Sequence, residues 1–245
     1  MLKLEHVKKT FNKGSANEVI LYRDLNVEIH DGEFVTIIGS NGSGKSTFFN
    51  VISGNIRQDA GSVSFNGKDV SRLPEHKRSQ FIGRVFQDPQ KGTSPSLTIL
   101  QNMAMAYHKG KSFGLTKGVD KALIPLFERE LADMQLGLES KLHVSVGSLS
   151  GGQRQALSLL MATLITPQLL LLDEHTAALD PKTSDLIIQL TKKIVEEKKM
   201  TTIMITHNLK HAITYGGSSA DVSQGGNHYG HTKRGKETAD SGKAD

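Results

Sequence analysis

The 245 residues contain no cysteine. Disulfide frameworks and thiolate metal sites are therefore excluded, which fits a reducing compartment. No run approaches the ~18 consecutive apolar residues that a membrane-spanning helix needs. Met1 to Thr10 alternates charged and apolar residues and has no apolar core of a secretory leader. The expectation is a cytoplasmic chain whose contact with a membrane comes through a partner. Long heptad runs are also missing, which argues against an extended coiled coil. Basic residues do not cluster: Lys and Arg total 30 against 25 Asp and Glu, and the net charge of +5 is dispersed. That pattern reads as a solvated surface, not a nucleic-acid footprint.

What is present suits one domain, or one core with a lobe attached. Alternating apolar residues at Leu2, Leu4 and Val7, and again at Leu25, Val27 and Ile29, predict antiparallel strands. Asp31-Gly32 is a turn, and Phe34 to Ile38 a buried strand ending at Gly39. Lys45 to Ser53 has helical character and stops at Gly54. Val63 to Phe65 precedes the hairpin-type pair Asn66-Gly67, and Ile82 to Phe86 is a further strand. From Thr98 to about Leu138 apolar residues recur at helical spacing, at Leu123, Leu126, Phe127 and Leu131, predicting an inserted helical lobe. A helix follows from Gln153 to Ile165, then a buried strand from Leu169 to Leu172. Asp180 and Pro181 open the next helix as N-cap and first helical residue. Thr202 to Thr206 is a strand ending at His207. Strands alternating with helices predict a mostly parallel α/β sheet, whose ligands sit beyond the carboxyl ends of the strands.

Gly39-Ser40-Asn41-Gly42-Ser43-Gly44-Lys45-Ser46-Thr47 matches the phosphate-loop pattern G-x-x-x-x-G-K-[ST]. Glycines let the backbone wrap an anion, and its N–H groups and the following helix N-terminus face the phosphates. Lys45 adds a point charge, and the Ser46 hydroxyl is a hard ligand for Mg²⁺. At average glycine usage a chance match in a chain of this length is on the order of one per cent. A dinucleotide fingerprint is excluded, because its third glycine would have to stand at Thr47.

Asp173 and Glu174 end a buried strand, where successive side chains point to opposite faces. Asp173 is assigned to the metal and Glu174 to the attacking water as general base. Phosphoryl transfer depends on positioning and charge stabilisation, so a small set suffices. His207, at another strand end, is placed to hydrogen-bond the γ-phosphate or the water. His207 and His211 have zinc-type spacing, but no third ligand accompanies them.

Leu149-Ser150-Gly151-Gly152-Gln153 resembles the signature of the ABC ATPases, and the other pieces then fall in that family's order. Gln87 looks like the Q-loop glutamine, Ala177 to Asp180 like the D-loop and His207 like the switch histidine. Phe11 sits where the family stacks an aromatic on adenine. The resemblance, covering 1–215, implies a P-loop NTPase core with an N-terminal antiparallel β subdomain and a helical lobe at about 89–160. It implies MgATP hydrolysis in a head-to-tail dimer of two copies or a paralogous pair. Ser150, Gly151, Gly152 and Gln153 of one subunit would close over ATP held by the other's loop. Ser46, Gln87 and Asp173 would hold Mg²⁺, with Lys45, Gln87, Glu174 and His207 catalytic. Integral-membrane permease subunits and a solute-binding protein are the implied partners. Gly92 to Thr98 together with Glu174-His175-Thr176 resembles a bacterial importer-type branch, whose neighbours look like amino-acid uptake systems.

Two rival functions compete with transport. One is a soluble ABC ATPase acting on DNA or ribosomes, disfavoured by the single cassette and the missing coiled coil. The other is a hydrolysis-impaired cassette with a damaged end. Residues 216–245 contain seven glycines, and their only large apolar residues are Val222 and Tyr229. That composition reads as a polar, disordered tail. A sharper expectation is a frame-shifted carboxyl end, since Ser218 to Val222 is compatible, one frame over, with Arg-Leu-Leu-Met. Such a tail would lack the strands that should pack on the sheet and would lower stability. Translating the coding DNA in the other frames tests this.

Overall fold

The computed structural model describes residues 1–40, 42–111 and 118–207, and the backbone alone of 218–221 and 232–233. Asn41, His211 and most of the carboxyl-terminal tail lie outside the described residues.

Two sheets share one core. β1 (Leu2–Phe11) pairs antiparallel with β2 (Val19–Ile29). The register sets Leu4 opposite Val27, as the alternation predicts. β3 (Phe34–Ile38) leaves for the second sheet and leads into α1 (Lys45–Ser53). β4 (Ala60–Phe65) returns to β1, and β5 (Lys68–Asp69) closes a sheet of order β2-β1-β4-β5. Asn66 and Gly67 both have positive φ, 49° and 74°, which a two-residue hairpin turn of this twist demands.

α2 (Glu75–Arg78) was not foreseen. Its use is local: Arg78 is almost fully buried and donates to the carbonyls of Val51 and Ile52 at the end of α1, each at 2.8 Å. A cation on the orphan carbonyls of a helix terminus is favourable.

The second sheet collects β6 (Ile82–Val85), β7 (Leu169–Asp173) and β8 (Thr201–Ile205) around β3, all parallel. Its core is buried on both faces, which explains why β7 is an unbroken apolar run. Leu169 and Leu171 face the antiparallel sheet and α1, together with Ile203 and Ile205. Leu170 and Leu172 face the helices, together with Met204.

α3 (Ile99–Tyr107), α4 (Ile124–Ala132) and α5 (Gly151–Thr163) form the helical lobe, and α6 (Pro181–Lys198) packs against α5. Ile99, Met103, Phe127 and Leu131 join α5 and the underside of β7 in one apolar cluster. Thr98 caps α3 reciprocally with Gln101. α5 starts at Gly151, two residues before the expected start, because Ser150 is its N-cap.

A frame-shifted tail is expected to lack strands that pack on the sheet; in the structure β9 (Ser218–Asp221) pairs in parallel with β3, from Val35–Ser218 to Ile38–Asp221. β10 (Thr232–Lys233) pairs with β9. The free edge of β3 presents unpaired backbone groups, and a ladder on such an edge needs no particular side chain.

Candidate active site at the carboxyl end of the parallel sheet

The strand register decides which motifs meet. Ile37 and Asp173 both pair with Ile205, and Leu172 pairs with Val85. The chain segments that leave β3, β6, β7 and β8 therefore emerge along one sheet edge. They carry the phosphate loop, Gln87, Asp173-Glu174 and His207, so four segments distant in sequence are brought together where such sheets bind ligands.

The phosphate loop ends on α1 without a side-chain cap, since its N-cap is Gly44 at φ 97°. The first-turn N–H groups are thus left for an external acceptor, and a helix N-terminus favours an anion. Lys45 is buried and its Nζ donates to the carbonyls of Gly39, at 2.7 Å, and Ser40, at 2.9 Å. Its ammonium is held against the loop's own backbone. Ser43 Oγ is buried without a hydrogen-bond partner among the described residues, an orphan hydroxyl that an anion would satisfy. Gly42, at φ 81°, and Thr47 complete the described loop.

Tyr22 is a contributor that sequence reasoning missed. Its hydroxyl donates to the Gly44 carbonyl at 2.7 Å. A Cβ on Gly44 would stand 3.0 Å from that hydroxyl and 3.1 Å from Leu21 Cδ1. The antiparallel sheet thus presses on the loop and fixes it. On the same sheet Phe11 ends β1, half-exposed, with the Lys9 ammonium 5.3 Å from its ring centroid. An accessible ring there leaves a face for stacking.

The two carboxylates separate, but not by the strand pleat expected from the sequence, because β7 ends at Asp173 and Glu174 lies just beyond it. Asp173 Oδ2 accepts from Arg84 at 2.8 Å. Glu174 sits in the left-handed region at φ 47°, anchored by its N–H to the Ile205 carbonyl. That sparsely populated backbone aims Glu174 away from Asp173 and toward His207, whose Nε2 is 2.7 Å from Glu174 Oε1. A cavity of about 300 Å³ is lined by Glu174, His207, Ala177, Leu179 and Asp185, among others. His175, directly after the glutamate, is buried and bonded to Thr191.

Hard oxygen donors suitable for Mg²⁺ are present. Asp173 offers a carboxylate, Ser46 a hydroxyl and Gln87 an amide oxygen. Ser46 and Gln87 are exposed and make no side-chain hydrogen bond among the described residues. The described residues hold no group of three His, Asp or Glu side chains. A metal bound here would complete its shell with water and substrate oxygens, the usual habit of Mg²⁺. The residues fit the ion.

The signature segment lies elsewhere, at the start of α5. Ser150 Oγ accepts from the Gln153 N–H at 3.2 Å, and the Gln153 amide reaches back to the Ser150 N–H and on to the Leu136 carbonyl. Gln153 therefore holds the cap. Gly151 and Gly152 begin the helix beside α6, with a Cβ on Gly152 falling 2.3 Å from Thr183 Cγ2.

The family model described as ABC transporter matches residues 22–177. The chain belongs to the ABC transporter family. A tyrosine transport ATP-binding protein of Clostridioides difficile is 49% identical over 216 residues, covering 88% of this chain and 86% of that one. A methionine import ATP-binding protein of Enterococcus faecalis is 33% identical over 212 residues, covering 85% of this chain and 58% of that one. Among solved structures, a dimeric ATP-binding cassette in a post-hydrolysis state with ADP and phosphate superposes at a TM-score of 0.80. It is 31% identical, with 96% of this chain and 100% of that chain covered. The chemistry of this ABC family is ATP hydrolysis.

Proposed function

We propose that the chain is the ATPase subunit of a solute uptake system, working as a pair of cassettes beneath integral-membrane permease subunits, and that the solute is of the amino-acid class. The observation that carries this reading is the 49% identity, over most of both chains, to a relative named for tyrosine transport. A solute-binding protein is part of the proposed assembly and nucleic acid is not. The place of work is the cytoplasmic face of the membrane. No helix among the described residues is long and apolar enough to cross one, so the permease supplies the anchor.

A groove between the sheet and the helical lobe suits that docking. It has a volume of about 470 Å³ and is lined by Ile82, Phe86, Met105 and Met161, with Lys91, Lys109 and Glu75 among its charged groups and Arg84 already paired to Asp173. Met105 is exposed. Burial holds the Lys109 ammonium below its ordinary value, and its Nζ reaches the Ile82 carbonyl at 3.1 Å. An apolar permease segment carrying a carboxylate complements such a surface.

Within the site, Lys45 and the loop N–H groups take the phosphates. Asp173, Ser46 and Gln87 would hold Mg²⁺, which neutralises phosphate charge when bound. Glu174 accepts the proton of the attacking water, and the His207 imidazole fixes that carboxylate from the side. Ser150 caps α5 and Gly152 lies in its first turn, and in the proposed pair they close over the phosphate loop of a second copy set head to tail. Gly151 lies between them at the exposed helix start.

Uptake of radiolabelled tyrosine and methionine by cells carrying Lys45→Ala in place of the wild-type chain tests the proposal. Tyrosine uptake is expected to collapse while methionine uptake persists. Unchanged tyrosine uptake overturns tyrosine as the solute, and unchanged uptake of every amino acid overturns the amino-acid class.

A further inference from the structure

Arg84 lies outside every motif in the sequence, three residues before Gln87, yet it sits at the junction of the metal site. One arm of its guanidinium donates to Asp173 Oδ2 at 2.8 Å and the other to Asn50 Oδ1 at 2.8 Å. Asn50 is on α1, the helix that opens with Lys45 and Ser46. The guanidinium carbon lies over the Phe86 ring, 4.7 Å from its centroid, and over the Phe49 ring at 5.8 Å. Both members of the ion pair are largely buried, with side-chain exposures of 13% and 14%. Arg84 Nε is buried with no partner among the described residues.

Such a pair is an expensive way to stabilise a fold. Taking two charges out of water costs several kcal/mol per ion, and the attraction repays it only when every donor is satisfied. Here one donor is not. The arrangement makes sense as control of the carboxylate. A rigid fork braced by an aromatic face and an amide fixes the rotation of the Asp173 carboxyl group, which a lysine point charge would not do. It engages only Oδ2 among the described residues. It also cancels part of the charge that Asp173 would otherwise present to a divalent cation.

We propose that Arg84 is a positioning residue for Asp173: it orients the metal-binding carboxylate and moderates its affinity for the ion. This rests on the assignment of Asp173 to the metal. Two effects are thus combined in one side chain, charge and orientation, and substitutions separate them. Arg84→Gln keeps a hydrogen-bond donor without the charge. Arg84→Met keeps the apolar stem and loses both.

The experiment titrates the purified full-length chain with Mn²⁺, a spectroscopically visible surrogate for Mg²⁺, in the presence of a non-hydrolysable ATP analogue. Electron paramagnetic resonance reads the bound ion. Binding of the same analogue in EDTA is measured alongside. Both variants are expected to bind Mn²⁺ about threefold or more tightly than wild type, because a like charge has been removed from beside the ion. Analogue binding in EDTA stays within about twofold. Turnover in MgATP falls about tenfold in Arg84→Met and much less in Arg84→Gln, since only the former loses the orientation. Mn²⁺ binding in either folded variant that is equal to or weaker than wild type overturns the proposal. If wild type itself bound the analogue but no Mn²⁺, the assignment of Asp173 to the metal would fall instead, which keeps the two failures apart. Should Arg84→Met not fold, Arg84→Gln decides alone.

Discussion

The imidazole Nε2 of His207 stands 2.7 Å from Glu174 Oε1, across the ends of two neighbouring strands. With the proton on Nε2 the histidine donates to the carboxylate and leaves the other oxygen for water. A carboxylate held this way would lose little freedom on serving as the proposed base. Glu174→Gln is expected to lower ATP hydrolysis by about 10²- to 10⁴-fold while ATP still binds. The trapped nucleotide should then hold two copies together, seen as an ATP-dependent doubling of mass in solution. Turnover within about tenfold of wild type would remove Glu174 from the role of base.

The second prediction concerns the signature helix. A Cβ on Gly152 would overlap Thr183 Cγ2 at 2.3 Å, far inside contact distance. Gly152→Ala is expected to push α5 from α6 and to destabilise the fold by about 1–3 kcal/mol, the usual range for overpacking. Thr183→Ser removes the offending methyl and keeps the hydroxyl. The double variant should therefore recover most of the lost stability in a chemical-denaturation cycle, a coupling expected only of residues in contact. If ATP-dependent dimerisation stays lost in the restabilised double variant, Gly152 also serves the nucleotide directly. Additive stability losses would show that the glycine is not there for packing.

Much of this arrangement was legible beforehand because the sheet imposes strong local rules. The run Leu169 to Leu172, the cap pair Asp180-Pro181 and the stop at Gly54 each mark a boundary through one physical cause: two-sided burial, a side-chain acceptor for free N–H groups, and tolerance of positive φ. The structure places β7, α6 and α1 accordingly. The phosphate loop, Gln87, Asp173, Glu174 and His207 are legible as motifs, and the strand register sets the segments that carry them at one end of the sheet. What stayed hidden were side chains that act through long-range contacts. Tyr22 reaches the phosphate loop from the other sheet, and Arg84 on β6 reaches Asp173 on the neighbouring strand β7. Neither has a local spacing rule, because the first contact is set by how the two sheets stack and the second by which strands become neighbours. The pairing of Ser218–Asp221 with β3 escaped for a related reason: it is a backbone ladder, and composition carries no signal for it.

The third prediction follows from His175. The residue is buried, and its Nε2 lies 3.1 Å from Thr191 Oγ1. That hydroxyl spends its only proton on the Ile187 carbonyl at 2.8 Å, so the imidazole must be the donor to it. Thr191→Val keeps the shape and strands a buried N–H. The expected loss is about 1–3 kcal/mol, the cost of an unsatisfied buried donor. His175 is bonded to α6 and adjoins Glu174, so turnover should fall along with stability. Thr191→Ser, which restores the hydroxyl, should recover turnover more fully than it recovers packing. A Thr191→Val protein as stable as wild type would mean that the imidazole has turned to another acceptor.

The last prediction is a pH dependence at the start of α6. Asp180 is the N-cap, and its carboxyl is held below its ordinary value, first by the side-chain hydrogen bond from Thr183 and then by the Thr183 backbone N–H. The positive end of the helix adds in the same direction. Because the folded value is depressed, the unfolded chain binds more protons in the interval between the folded value and the unfolded one near ~3.9. Stability from this group is therefore complete above the unfolded value and drains away as pH falls through the folded one. Asp180→Asn supplies a control that still caps the helix but does not titrate. Wild type should be the more stable protein at about pH 6, and its advantage in thermal midpoint should shrink steadily toward about pH 3. A gap that stays constant across that range would mean that the cap works by hydrogen bonding alone and that the charge on Asp180 contributes nothing to the fold.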